Sequence, residues 1–106
     1  MSGGGSPGPY GSGPSEPASD CRIVERVILN SPNPQVLATL RQGDELDVVL
    51  AGNALVAQPK AGPPPAGALT PARLADLIDC INRGHEYKAI VQKVGGGRCD
   101  VEIRPK

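Results

Sequence analysis

The stretch Thr70-Pro71-Ala72-Arg73-Leu74-Ala75-Asp76-Leu77-Ile78-Asp79-Cys80-Ile81-Asn82-Arg83-Gly84 runs directly into His85-Glu86-Tyr87-Lys88-Ala89-Ile90-Val91-Gln92-Lys93-Val94. It changes hydrophobic period midway, and that change decides the fold. In the first part Leu74, Leu77, Ile78 and Ile81 recur at i, i+3, i+4 and i+7, the stripe of an amphipathic helix. Asp76, Asp79 and Arg83 lie off the stripe. Thr70 is expected to cap this helix with Pro71 at its first position, and Asn82-Arg83-Gly84 to end it. After Gly84 the period becomes two. Tyr87, Ala89 and Val91 share one face of a strand, Gly95-Gly96-Gly97 turns the chain, and Arg98 to Arg104 returns. In that last strand Cys99, Val101 and Ile103 point inward, while Asp100, Glu102 and Arg104 point outward.

The same reading extends upstream. Cys21 to Leu29 is rich in β-branched residues and ends in Asn30-Ser31-Pro32-Asn33-Pro34, a strand followed by a turn. Asn33 is expected to cap a short helix containing Val36, Leu37 and Leu40, stopped by Gly43. Asp44 to Leu50 alternates, with Leu46, Val48 and Leu50 on one face and Glu45, Asp47 and Val49 on the other. Ala51-Gly52-Asn53 turns it into a partner strand, Ala54 to Gln58. Pro59 to Gly67 contains three consecutive prolines and reads as an irregular loop. The expected order is β-α-β-β-α-β-β. This is an α+β fold: a small, bent five-stranded sheet or partly open β-barrel, with one main capping helix and one short helix. The expected core is Leu46, Val48, Leu74, Leu77, Ile78, Ile81, Val91, Val101 and Ile103.

Residues 1–19 are mostly Gly, Pro and Ser with almost no charge and no apolar period, so a disordered tail is expected before a single domain at 20–106. Lys plus Arg and Asp plus Glu number 11 each. The chain as a whole therefore has no pull toward nucleic acid or an anionic membrane, though its C-terminal end is mildly basic. No apolar run is long enough to span a bilayer. There is no Trp or Phe, and Tyr10 and Tyr87 are the only aromatic side chains, which disfavours a base-stacking surface. Cys21, Cys80 and Cys99 match no zinc spacing. Their odd number and the lack of a leader segment argue for reduced, buried thiols in a cytoplasmic protein.

Catalytic signals are weak. His85 is the only histidine, with no nucleophile and orienting acid assigned to it. Asp44, Glu45 and Asp47 are better read as solvated charge than as metal ligands. Gly95-Gly96-Gly97 leads into a strand, whereas a phosphate loop leads into a helix. No cofactor, no metal and no enzyme activity are expected.

Gly67-Ala68-Leu69-Thr70-Pro71-Ala72-Arg73-Leu74-Ala75 resembles the signature of HIRAN domains, in which a strand ending in proline runs straight into a helix. Tyr87-Lys88-Ala89-Ile90-Val91 is similar to the family segment after that helix. Leu40-Arg41-Gln42-Gly43-Asp44 and Asn53-Ala54-Leu55-Val56 are similar to segments before it. The likeness covers residues 40–103. The family's longer N-x-x-D-x-N-A-V motif and the loop before it are not present. The resemblance implies a barrel with a helix, no catalysis, and binding of single-stranded DNA ends.

The expectation is therefore a non-catalytic binding module. Its nucleic-acid form places Thr70, Arg73, His85, Tyr87, Lys88 and Arg98 at the site. Unpaired N–H groups at the helix start would receive a phosphate, and Tyr87 or His85 would stack a base. The alternative is a protein-interaction domain using exposed strand edges or the proline loop.

Overall fold

A computed structural model describes residues 21–106, and the tail expected at 1–19 lies outside the described residues. The alternating segments pair into an antiparallel sheet, curled into a half-barrel around Val, Ile, Leu and Ala side chains. Its strands are β1 (Glu25–Ile28), β2 (Glu45–Ala51), β3 (Ala54–Pro59), β4 (Gly67–Leu69), β5 (Tyr87–Gly95) and β6 (Arg98–Pro105). Two helices are α1 (Pro34–Leu37) and α2 (Leu74–Asn82). The sheet order is β1-β6-β5-β2-β3-β4.

The sheet has six strands among the described residues, where the sequence reading gives five. The added strand is β4, at the boundary between the proline loop and the main helix. Its three residues are too short to show a period, and Gly67 reads as loop. The glycine has a packing reason: a Cβ there would sit 3.0 Å from Leu29 Cβ and 3.1 Å from the Asn30 carbonyl oxygen. That close approach lets the two sheet edges touch. Asn30 and Ala68 exchange both backbone hydrogen bonds at 2.9 Å, and Asn33 N–H donates to Ala66 O at 2.8 Å.

Local signals account for the other turns. Asn33 Oδ1 accepts from the N–H groups of Gln35 (3.0 Å) and Val36 (3.3 Å), so the short helix is capped as expected. Gly96 and Gly97 have φ of 61° and 78°, the pair of positive angles that a tight hairpin between Gly95 and Arg98 requires. Between Val91 and Lys93 the β5–β6 register shifts by one, leaving Gln92 as a bulged residue.

The expected alternation holds in the last hairpin: Tyr87, Ala89, Val91, Cys99, Val101 and Ile103 are all buried. Leu46 and Leu77 are enclosed, while Val48, Leu74, Ile78 and Ile81 are only half-buried against the core. Ile23, Leu55 and Leu69 complete the centre.

Two expectations are corrected. Thr70 is not the cap of α2, which begins at Leu74 with Arg73 as its preceding residue and no side-chain cap. Pro71 to Leu74 instead forms a separate turn, closed by Leu74 N–H to Pro71 O at 3.2 Å. Cys21 and Cys80 are not reduced thiols: they form a disulfide across 59 residues, leaving Cys99 as the buried free cysteine. The chain leading into β1 passes against α2, and both cysteines take inward positions that meet. Among the described residues no helix is long and apolar enough to cross a membrane.

Candidate functional site

Strand β1 is one edge of the sheet, and its register determines which backbone groups face outward. Leu29 N–H donates to Cys99 O at 2.9 Å, so the pair 29/99 is hydrogen-bonded to β6. Antiparallel alternation then directs Glu25 and Val27 toward β6, and Arg26, Ile28 and Asn30 away from it. Asn30 finds Ala68. Among the described residues, no backbone partner meets the outward N–H and C=O groups of Arg26 and Ile28. The side chains along this edge, from Val24 just before β1 to Ile28, are as unusual as its backbone. Val24 and Ile28 are 54% and 48% exposed, the two most exposed large apolar side chains among the described residues.

A groove of about 600 Å³ runs beside this edge and over the outer face of β1, β6 and β5. Glu25, Arg26, Val27 and Ile28 line it from β1, Gln92 and Lys93 from β5, and Arg98 and Asp100 from β6; Asn30 and Thr70 close one end. The bulge turns Gln92 toward the groove, where its Oε1 accepts from Arg26 at 2.9 Å. Asn30 Nδ2 donates to Thr70 Oγ1. Arg98 grips Asp100 through Nε (2.8 Å) and a second nitrogen (3.3 Å). That guanidinium holds the Asp100 carboxyl below the usual carboxylate range, and the carboxylate in turn raises Arg98.

Glu25 is also engaged. Its carboxylate accepts from Ala72 N–H at 2.6 Å and Arg73 N–H at 3.3 Å. These are the backbone donors, just ahead of α2, that the nucleic-acid reading reserves for a phosphate. The protein fills that anion position with its own side chain, because β1 carries Glu25 against the start of the helix. Of five charged side chains in the groove, the two anions are thus already matched. Arg26 bonds only the neutral Gln92, while Lys93 is the cross-strand neighbour of Asp100 and, with Arg26, helps to hold that carboxyl down. The groove therefore presents net positive charge beside an apolar edge.

The six sequence-derived site residues do not converge. Thr70 and Arg98 line the groove. Arg73 is exposed at the start of α2 and pairs with Asp76 at 3.1 Å. His85 is exposed beyond the helix, with its N–H bonded to Cys80 O. Lys88 lies elsewhere on the sheet, 3.5 Å from Glu45. Tyr87 is 1% exposed and donates its hydroxyl to the Cys21 carbonyl; burial pushes its phenol up. Its ring is core, as the strand alternation also implies, and offers no face to a nucleobase. Sequence reasoning missed Arg26, Ile28, Gln92 and Lys93, because they converge only when β6 places β1 next to β5.

Asp47, one of the acidic trio at 44–47, is held below its usual range by Lys106 (3.1 Å) and Lys60 (3.2 Å). Among the described residues no three potential ligands cluster as a metal site would require. No known protein family, curated protein or solved structure matches this chain.

Proposed function

We propose that this protein is a non-catalytic binding module, that the β1–β6–β5 groove is its ligand seat, and that the ligand is a segment of another protein. The exposure of Ile28 on the edge strand, with Val24 just ahead of it, carries this reading. Large apolar side chains left half-open beside a groove are favourable to cover and unfavourable to leave in water. Polar groups around them give orientation. A single-stranded nucleic acid, the ligand implied by the HIRAN resemblance, would need a stacking ring, and unmatched cations at the sequence-derived positions. Tyr87 is in the core, and Arg73, Lys88 and Arg98 each have an acidic neighbour. The lone His85 lies outside the groove, which supports the non-catalytic reading.

The test is selection of displayed twelve-residue peptides on the full-length protein, with Ile28→Asp as the counter-target. Enriched peptides should bind the wild type and lose at least about tenfold in affinity on the variant, since a carboxylate replaces an apolar contact. Enrichment of peptides that bind both equally, or tighter binding by single-stranded oligothymidylate than by any peptide, overturns the reading.

A further inference from the structure

We infer that the groove takes its ligand as an added β-strand carrying an acidic side chain. This rests on the protein-segment reading above and names the form and charge of the segment. Two observations combine. The N–H and C=O groups of Arg26 and Ile28 point away from β6 without a backbone partner among the described residues. An extended chain laid along β1 satisfies both residues through the ladder geometry the sheet already uses. The length is bounded by the Asn30·Thr70 contact at one end and by the Glu25 carboxylate on Ala72 and Arg73 at the other. The docked strand is therefore short.

The second observation is charge. Glu25 is occupied by backbone donors, and Asp100 stands between Arg98 and its cross-strand neighbour Lys93, so Arg26, bonded only to Gln92, is the cation left for a ligand. Arg26 lies on the groove wall and on the edge strand itself. A carboxylate projecting from the added strand over the sheet's outer face meets it, one strand spacing away. The Arg26–Gln92 bond is neutral at the Gln92 end and yields to an anion, because charge-assisted hydrogen bonds are the stronger class. Val24 and Ile28 share the outer face with Arg26, so they receive the apolar side chains two residues before and after that carboxylate.

The experiment uses a capped hexapeptide, Thr-Val-Ser-Glu-Thr-Val, and the full chain; Val, Glu and Val at alternate positions share one face. Two further versions carry backbone N-methyl groups on alternate residues, one on each phase, and a fourth replaces Glu with Lys. An added strand bonds β1 through one phase only. One methylated version should therefore lose roughly tenfold or more in affinity while the other binds like the parent. The Lys version should bind at least about tenfold more weakly and recover on Arg26→Glu protein. In the parent complex the Arg26 and Ile28 amides should become protected from hydrogen exchange. Equal binding by both methylated versions overturns strand addition and leaves the groove as a side-chain site. Equal binding of Glu and Lys versions overturns the charge assignment. If the parent hexapeptide does not bind while unrelated selected peptides do, the inference falls and the protein-segment reading stands.

Discussion

Replacing Leu77 with alanine tests the packing of helix on half-barrel, and the neighbouring Ile78 serves as its control. Leu77 is 0% exposed, whereas Ile78, one residue further round the helix, is half-buried. Truncating Leu77 removes three carbons, ~2.4 kcal/mol of transfer free energy at ~0.8 kcal/mol per methylene. The enclosed cavity adds on the order of 1–2 kcal/mol at ~24 cal/mol per Å³, for a total near ~4 kcal/mol. Ile78→Ala loses a part of the transfer energy and opens its gap to water, so it should cost about 1–2 kcal/mol. The protein has no Trp, so urea unfolding is best followed by far-ultraviolet circular dichroism. A domain of this size has on the order of 5 kcal/mol to lose, and Leu77→Ala should unfold near zero denaturant. Equal costs at the two positions, or a Leu77→Ala cost below ~1 kcal/mol, refute the packing described here.

The Cys21–Cys80 bond closes 59 residues, and the chain-entropy relation gives about 4 kcal/mol, so the double serine variant should be destabilised by several kcal/mol in urea. Alkylation of the denatured but unreduced protein should add one label, on Cys99, and three after reduction; three without reduction contradicts the pairing. Native Cys99 should resist alkylation at mildly basic pH, because burial raises its thiol; rapid labelling of the folded protein contradicts this. Asp47 is held low by Lys106 and Lys60, so its stabilisation is complete above the ordinary carboxylate range and is lost as pH falls through its lowered folded value. Asp47→Asn should accordingly cost at most about 1 kcal/mol at neutral pH and nothing in strong acid, measured by urea unfolding at both. Glu25→Gln weakens the acceptor on Ala72 and Arg73 and should cost about 1 kcal/mol; no loss of stability contradicts its role at the helix start.

The half-barrel was legible wherever a period was long enough to count. The strand faces 87–91 and 99–103, the stripe with Leu77 at its centre, and the Asn33 cap each follow from local spacing. Three residues of β4 carry no such period, and Gly67 is explained only by Leu29 and Asn30 behind it. Thr70 before Pro71 is a sound capping signal, yet the proline turn delays the helix to Leu74, and Thr70 bonds Asn30 instead. The disulfide could be suspected from two inward cysteines, but separation along the chain gives no distance between them. The groove was legible only at Thr70 and Arg98. Its other wall comes from β1 and β5, 60 or more residues apart in sequence, and no local pattern joins Arg26 to Gln92.

The most direct measurement of the central claim is an amide chemical-shift map of the nitrogen-15-labelled protein at low salt, titrated separately with the acidic hexapeptide and with single-stranded oligothymidylate. The groove account predicts that the peptide moves Arg26, Ile28, Gln92, Lys93 and Arg98 saturably, while the oligonucleotide moves them weakly or not at all. Peptide-induced shifts that avoid this set, or oligonucleotide shifts centred on Thr70, Arg73 and His85 at lower ligand concentration, contradict it.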